Sequence, residues 1–185
     1  CMQNADEVKL AIRYGASALG FVSAMPSGPG PIAEDLIAKI VPAVPPGVAT
    51  FLLTSKQDAA SIIEQQRRLR TSVLQLVDAV SVETLQELRR ALPGVGLVQV
   101  IHVRDKKSVD EAIITAPYVD AILLDSGNPS LPVKVLGGTG RTHDWALSKE
   151  IVDRCRKPVF LAGGLKAENV RAAIDRVHPY AVDIC

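Results

Sequence analysis

A parallel α/β fold is predicted by three features of this 185-residue sequence. Apolar, β-rich runs alternate with amphipathic helical stretches along the whole chain. Most of the apolar runs are continuous, as expected when helices cover one face of a sheet whose other face is also buried. The units are evenly spaced, with no long crossover at which strand order reverses, which favours an eight-stranded barrel over an open doubly wound sheet.

The elements follow one another as repeats of a small unit. An amphipathic helix over 5–14 ends at Gly15 and leads into a strand over 18–23. A helix over 33–41 turns at Gly47 into a strand over 48–54. A helix over 56–69 precedes a strand over 72–77. In the next helix, 81–92, Val82, Leu85, Leu88 and Leu92 fall on one face, Ser81 can serve as its cap, and Pro93-Gly94 ends it before the strand over 97–103. Helices over 106–115, 144–154 and 167–177 then precede strands over 120–125, 158–162 and 181–185. Seven helix-strand units in this order describe a (β/α)8 TIM barrel lacking most of its first strand and its last helix: a single domain, 1–185, incomplete at both ends. The strands at 18–23 and 181–185 are then expected to have unpaired outer edges.

Composition removes several classes of function. With 48% hydrophobic and 22% charged residues, the chain fits neither a disordered nor a fibrous protein. A net charge of +1 supplies no broad field for nucleic acid or an anionic membrane, so any anion must be held locally. Cys1, Cys155 and Cys185 are odd in number and lack CxxC spacing, which argues against a disulfide framework or structural zinc and suits a reducing cytoplasm. No apolar run approaches the ~20 residues that cross a bilayer, and no signal-peptide plan opens the chain. The first residue is Cys, and the last five read as an unfinished strand, which suggests a fragment.

In a barrel, reactive groups occupy the C-terminal ends of strands and the loops after them. Asp125 ends an apolar strand, where an acid among apolar walls is suited to donating a proton near neutrality; the competing reading is a turn cap. The run Gly137-Gly138-Thr139-Gly140-Arg141-Thr142-His143-Asp144-Trp145 is rich in backbone donors and can close over a substrate or cradle a phosphate, unless it is a linker capped by Thr142 or Asp144. Gly163 and Gly164 precede a helix and let backbone N–H groups approach an anion, or simply make a tight turn. Asp183 ends the last visible strand. His102, His143 and His178 lack metal-ligand spacing and read as surface or supporting residues, so no metal site is expected. Ser126 and His143 lack the G-x-S-x-G elbow that a hydrolase would need.

Taken in order, these pieces resemble the phosphoribosylanthranilate isomerase family of tryptophan biosynthesis. The resemblance rests on Asn4-Ala-Asp6-Glu7, Gly15-Ala-Ser-Ala-Leu-Gly-Phe21, Val73-Leu-Gln75-Leu76, Leu123-Leu-Asp125, Gly137-Gly-Thr-Gly-Arg-Thr-His-Asp-Trp145, Leu161-Ala-Gly-Gly-Leu-Lys-Ala-Glu-Asn-Val170 and Pro179-Tyr-Ala-Val-Asp183. It implies an Amadori rearrangement of a phosphorylated sugar without cofactor or metal, in which an acid opens the ring and a base removes a proton from the adjacent carbon. Asp125 matches the family's acid. Gly163 and Gly164 match part of its phosphate site, and Gln75, Gly138, Gly140 and Asp183 fall at further substrate-binding positions.

Three departures accompany the match. The family's base is a cysteine followed by glycine, whereas ungapped alignment puts Cys1 on that glycine, leaving Cys1 or the residue before it as the base. The loop Pro26-Ser-Gly-Pro-Gly-Pro31 contains no arginine where the family clamps the anthranilate carboxylate, a loss of ~2–5 kcal/mol if nothing replaces it. Gln75-Leu76-Val77-Asp78 lacks the family's histidine and adds a carboxylate expected to repel an anionic substrate. The alternative to the isomerase is therefore a catalytically altered relative, or a non-catalytic barrel binding another phosphorylated sugar.

Overall fold

The computed structural model describes every residue except Thr139, Arg141 and Cys185. The middle of the 137–145 motif and the end of the expected strand 181–185 thus lie outside the described residues. In chain order the elements are α1 (Ala5–Arg13), β1 (Ala18–Val22), α2 (Glu34–Ile40), β2 (Ala49–Thr54), α3 (Ala59–Leu69), β3 (Val73–Leu76), α4 (Val82–Ala91), β4 (Gly96–His102), α5 (Lys106–Thr115), β5 (Ala121–Asp125), α6 (Trp145–Arg154), β6 (Val159–Leu161), α7 (Val170–Val177) and β7 (Ala181–Val182). The strands form one sheet in sequence order, every pair parallel. Unbroken order excludes the doubly wound alternative, which requires a reversal. The result is an incomplete (β/α) cylinder with helices outside.

Period-two alternation divides the core into two layers. Outward-facing Phe21, Leu52, Leu74, Leu76, Ile101, Ile122, Leu124 and Leu161 pack against the helices through Ile37, Ile62, Leu85, Leu88, Val109, Ile151 and Val177. Inward-facing Val98, Val100, Ala121, Leu123 and Ala162 form a separate cluster with Phe51, Leu53 and Phe160. Leu124 is fully buried one residue before Asp125. Leu124→Ala is expected to destabilise the protein by about 2–5 kcal/mol in chemical denaturation, the range for emptying a fully packed leucine site.

Local hydrogen bonds move two helix starts. α3 begins at Ala59 rather than 56 because Asp58 caps it, accepting from Ser61 N at 2.9 Å. α7 begins at Val170 rather than 167: Asn169 Oδ1 accepts from Lys166 N at 2.8 Å and its Nδ2 donates to Gly164 O at 3.0 Å, holding 166–169 in a turn. Ser81 caps α4 as expected. Arg70 and His178, with φ of 55° and 54°, turn the chain after α3 and α7 where no glycine stands.

The expectation of a bare outer edge on β1 is corrected. Gly20 O accepts from Met2 N at 2.9 Å and Val22 O from Ile32 N at 3.0 Å, so the residues before α1 and the loop after β1 both lie along that edge. Met2 packs into the helix-facing core, whereas Cys1 and Gln3 line the interior, the alternation of an extended segment.

Candidate active site

Asp125 shares the inner face of β5 with Ala121 and Leu123, by alternation, and sits in register with His102 of β4. As the last residue of the strand it carries its carboxylate above the apolar interior. Its Oδ1 accepts from Ser126 N at 2.6 Å. Two glycines make room for this side chain. A Cβ on Gly137 would stand 2.6 Å from Asp125 Oδ2, and one on Gly163 would stand 3.2 Å from Asp125 Oδ1 and 2.9 Å from His143 Nδ1. The acid, the β5–α6 loop and the β6–α7 loop therefore converge at one rim of the cylinder.

Gly163 and Gly164 have φ of +82° and +64°, a left-handed pair just after β6. Among the described residues, the N–H groups of Gly163, Gly164 and Leu165 donate to no protein acceptor, although all three residues line the interior cavity. Unsatisfied donors in a concave turn suit a phosphate. Lys166 follows them and is the only Lys or Arg among the described lining residues. The sequence carries no separate mark for Lys166 beyond its position directly after Gly163-Gly164-Leu165.

The cavity measures about 480 Å³, enough for a small phosphorylated ligand. Its lining includes every expected site residue: Cys1, Gln75, Asp125, Gly138, Gly140, Gly163, Gly164 and Asp183. Val22, Met25, Leu53, Val77, Val100 and Leu136 supply an apolar wall. Cys1 Sγ would lie 3.9 Å from a Cβ on Gly30, placing the thiol beneath the loop that follows β1.

Two loops meet over this cavity. A Cβ on Gly28 would be 3.7 Å from Gly137 O, and one on Gly138 would be 3.2 Å from Pro29 Cδ, so the arginine-free 26–31 loop packs directly on the glycine-rich loop. Lys134 ties them further. Its carbonyl accepts from Ser27 Oγ at 2.6 Å, and its ammonium pairs with Asp78.

That pair corrects the expectation for Asp78. Its side chain is buried, bonded to Lys134 and to Ala79 N at 2.9 Å, and it is not among the cavity-lining residues; it anchors a loop instead of repelling substrate. Lys134→Met is expected to cost about 1–3 kcal/mol in denaturant unfolding, the penalty for leaving a buried polar group short of a partner, and to raise the protease sensitivity of 126–138.

Of the histidines read as surface or supporting residues, His102 is buried, with Nε2 in hydrogen-bond contact with Val77 O at 3.0 Å. His143 is half-buried, with Nε2 2.7 Å from Ser148 Oγ, and burial lowers its pKa from the ordinary value against the opposing pull of Asp125 and Asp144. His178 is exposed at the end of α7. No group of three or more His, Cys, Asp or Glu among the described residues is arranged to hold a metal ion. Likewise, no described helix is long and apolar enough to cross a membrane.

Comparison with known proteins places the chain among sequences of similar design. A family model described as N-(5'phosphoribosyl)anthranilate (PRA) isomerase matches residues 1–185. N-(5'-phosphoribosyl)anthranilate isomerase of Methanocella arvoryzae is 34% identical over 171 residues, covering 92% of this chain and 78% of the relative. Among solved structures, phosphoribosyl anthranilate isomerase from Thermotoga maritima superposes with a TM-score of 0.83 at 27% identity, covering 98% of this chain and 83% of that one. A further isomerase structure, in complex with reduced 1-(o-carboxyphenylamino)-1-deoxyribulose 5-phosphate, has a TM-score of 0.80 at 25% identity and covers 99% of this chain and 82% of that one.

Proposed function

The chain belongs to the N-(5'-phosphoribosyl)anthranilate isomerase family, an enzyme family of tryptophan biosynthesis, and from that premise we propose that Asp125 is the general acid of its Amadori rearrangement. One observation carries the assignment. Asp125 Oδ1 and the amide-bearing Gly163-Gly164 turn border the same cavity, the carboxylate 3.2 Å from where a Gly163 side chain would begin. A phosphate held by that turn and by Lys166 brings the sugar ring beside the acid.

The reaction moves only protons. Asp125 gives its proton to the ring oxygen as the nitrogen lone pair opens the ring to an iminium ion. A base then removes the proton from C2, and the resulting enolamine passes to the 1-amino-2-ketose. Cys1, facing the cavity from the segment alongside β1, is assigned the base. Gln75 and Asp183 address the sugar hydroxyls from β3 and from just after β7, and Gly138 and Gly140 border them from the β5–α6 loop. The aryl ring packs on the wall of Val22, Leu53, Val77 and Val100. A cytoplasmic setting, where the phosphorylated substrate is made and thiols stay reduced, suits this chemistry.

Turnover is measured by the loss of anthranilate-type fluorescence on adding N-(5'-phosphoribosyl)anthranilate. Multiple turnovers are expected, inhibited competitively by ribose 5-phosphate. Binding of ribose 5-phosphate without turnover would replace the isomerase with the non-catalytic sugar-phosphate binder.

A further inference from the structure

The cavity carries its described basic side chain at one end only. Among the described lining residues the Asp, Glu, Lys and Arg side chains are Asp125, Lys166 and Asp183, two acids against one base. Lys166 follows the Gly163-Gly164 turn after β6, whereas the apolar wall of Val22, Leu53, Val77 and Val100 rises on or just after β1 to β4. The sheet runs in unbroken order, so β3 stands three strands from β6, about 14 Å around the cylinder at ~4.8 Å per strand. A lysine engaged with phosphate at the turn does not reach a second anion at that wall.

The groups on the wall's side of the cavity are turned to other partners. Lys134, whose carbonyl accepts from Ser27 Oγ at 2.6 Å, pairs its ammonium with buried Asp78 and is not among the described lining residues. Gln3 Nε2 donates to Gly30 O at 2.9 Å. The backbone amides that border the cavity at Gly28 and Gly30 are neutral donors. A carboxylate brought from water to this wall loses hydration and meets no described cation, whereas an uncharged ring is held by the apolar side chains alone.

We propose that this site takes phosphoribosylamines bearing an uncharged N-aryl group, and holds the anthranilate derivative no better than its carboxylate-free counterpart, N-(5'-phosphoribosyl)aniline. The inference rests on the isomerase reading and widens its substrate class. The rearrangement uses the nitrogen lone pair, a proton delivered to the ring oxygen and removal of the C2 proton. The carboxylate takes part in none of these steps. Either substrate ends as its own isomer, so no co-reactant is needed. Asp183 and, once it has given up its proton, Asp125 add negative charge to the cavity, which disfavours a second anion on a ligand that already carries phosphate.

Calorimetry on the wild-type chain compares reduced 1-(o-carboxyphenylamino)-1-deoxyribulose 5-phosphate with the reduced 1-phenylamino analogue. The ratio of dissociation constants, carboxylated over uncarboxylated, is expected to be about 1–10. A ratio below 1 would overturn the proposal, because it requires a group that holds the carboxylate. Arg141 lies outside the described residues and is checked by Arg141→Gln, which is expected to leave the ratio unchanged; weaker binding of the carboxylated ligand alone would overturn the proposal. In steady-state assays followed by chromatography, N-(5'-phosphoribosyl)aniline is expected to be converted to its aminoketose, and turnover of the anthranilate derivative alone would contradict this. If both reduced ligands bind but neither substrate turns over, the isomerase reading fails and the ratio still decides the selectivity. Binding of neither ligand would overturn both.

Discussion

Asp125→Asn is expected to lower kcat by about 10²–10⁴-fold, the contribution typical of a positioned general acid, while leaving the fold intact. The substitution is nearly isosteric. The Asn carbonyl oxygen can still accept from Ser126 N, now 2.6 Å from Oδ1, so the turn after β5 keeps its hydrogen bond. Only the transferable proton is lost. The Gly163-Gly164 turn, to which phosphate binding is proposed, and the apolar wall are untouched, so binding of ribose 5-phosphate is expected to persist. Steady-state kinetics with calorimetry of sugar-phosphate binding checks both halves: retained binding with lost turnover identifies an acid, whereas loss of both identifies a structural carboxylate.

Gly137→Ala is expected to lower kcat by about 10²-fold by moving the acid without removing it. Its φ of +139° is one that L side chains rarely adopt, and the new Cβ would stand 2.6 Å from Asp125 Oδ2. The carboxylate is the end that can yield, so it rotates away from its productive position. Backbone strain adds about 1–3 kcal/mol of destabilisation. Gly94→Ala separates these effects, because Gly94 also has a positive φ, 84°, but a Cβ there meets nothing within 4 Å and the turn is not among the residues lining the cavity. Comparable strain with full activity is expected for Gly94→Ala, and thermal unfolding of both variants reports the strain alone.

The fold was legible because each unit repeats the same physical pattern. Continuous apolar strands such as 120–125 read directly as strands buried on both faces, and the regular spacing argued for the unbroken strand order that is observed. Asp125 was legible for a related reason: a carboxylate ending an apolar strand must stand at a rim, and alternation places it on the inner face with Leu123. The glycines of the β6–α7 turn could be read, but the start of α7 could not. Asn169 moves that start by bonding Gly164 O and Lys166 N, a choice of side-chain geometry that periodicity does not encode.

Contacts between loops distant in sequence were illegible. Asp78 looked like an obstacle to an anionic substrate because its partner, Lys134, lies 56 residues away in another loop. The same holds for the packing of Gly28 and Pro29 on Gly137 and Gly138, which explains the glycine-proline character of the 26–31 loop without reference to a bound carboxylate. His143 was seen in its motif, yet its approach to Asp125 depends on Gly163 having no side chain.

A crystal structure of Asp125→Asn with reduced 1-(o-carboxyphenylamino)-1-deoxyribulose 5-phosphate tests the roles proposed for Asp125 and the Gly163-Gly164 turn together. The phosphate is expected on the amides of Gly163, Gly164 and Leu165, with residue 125 within hydrogen-bond distance, about 3 Å, of a ribulose oxygen. A ligand whose phosphate lies elsewhere, or whose sugar leaves residue 125 without contact, would contradict the assignment of Asp125 and the Gly163-Gly164 turn to one active site.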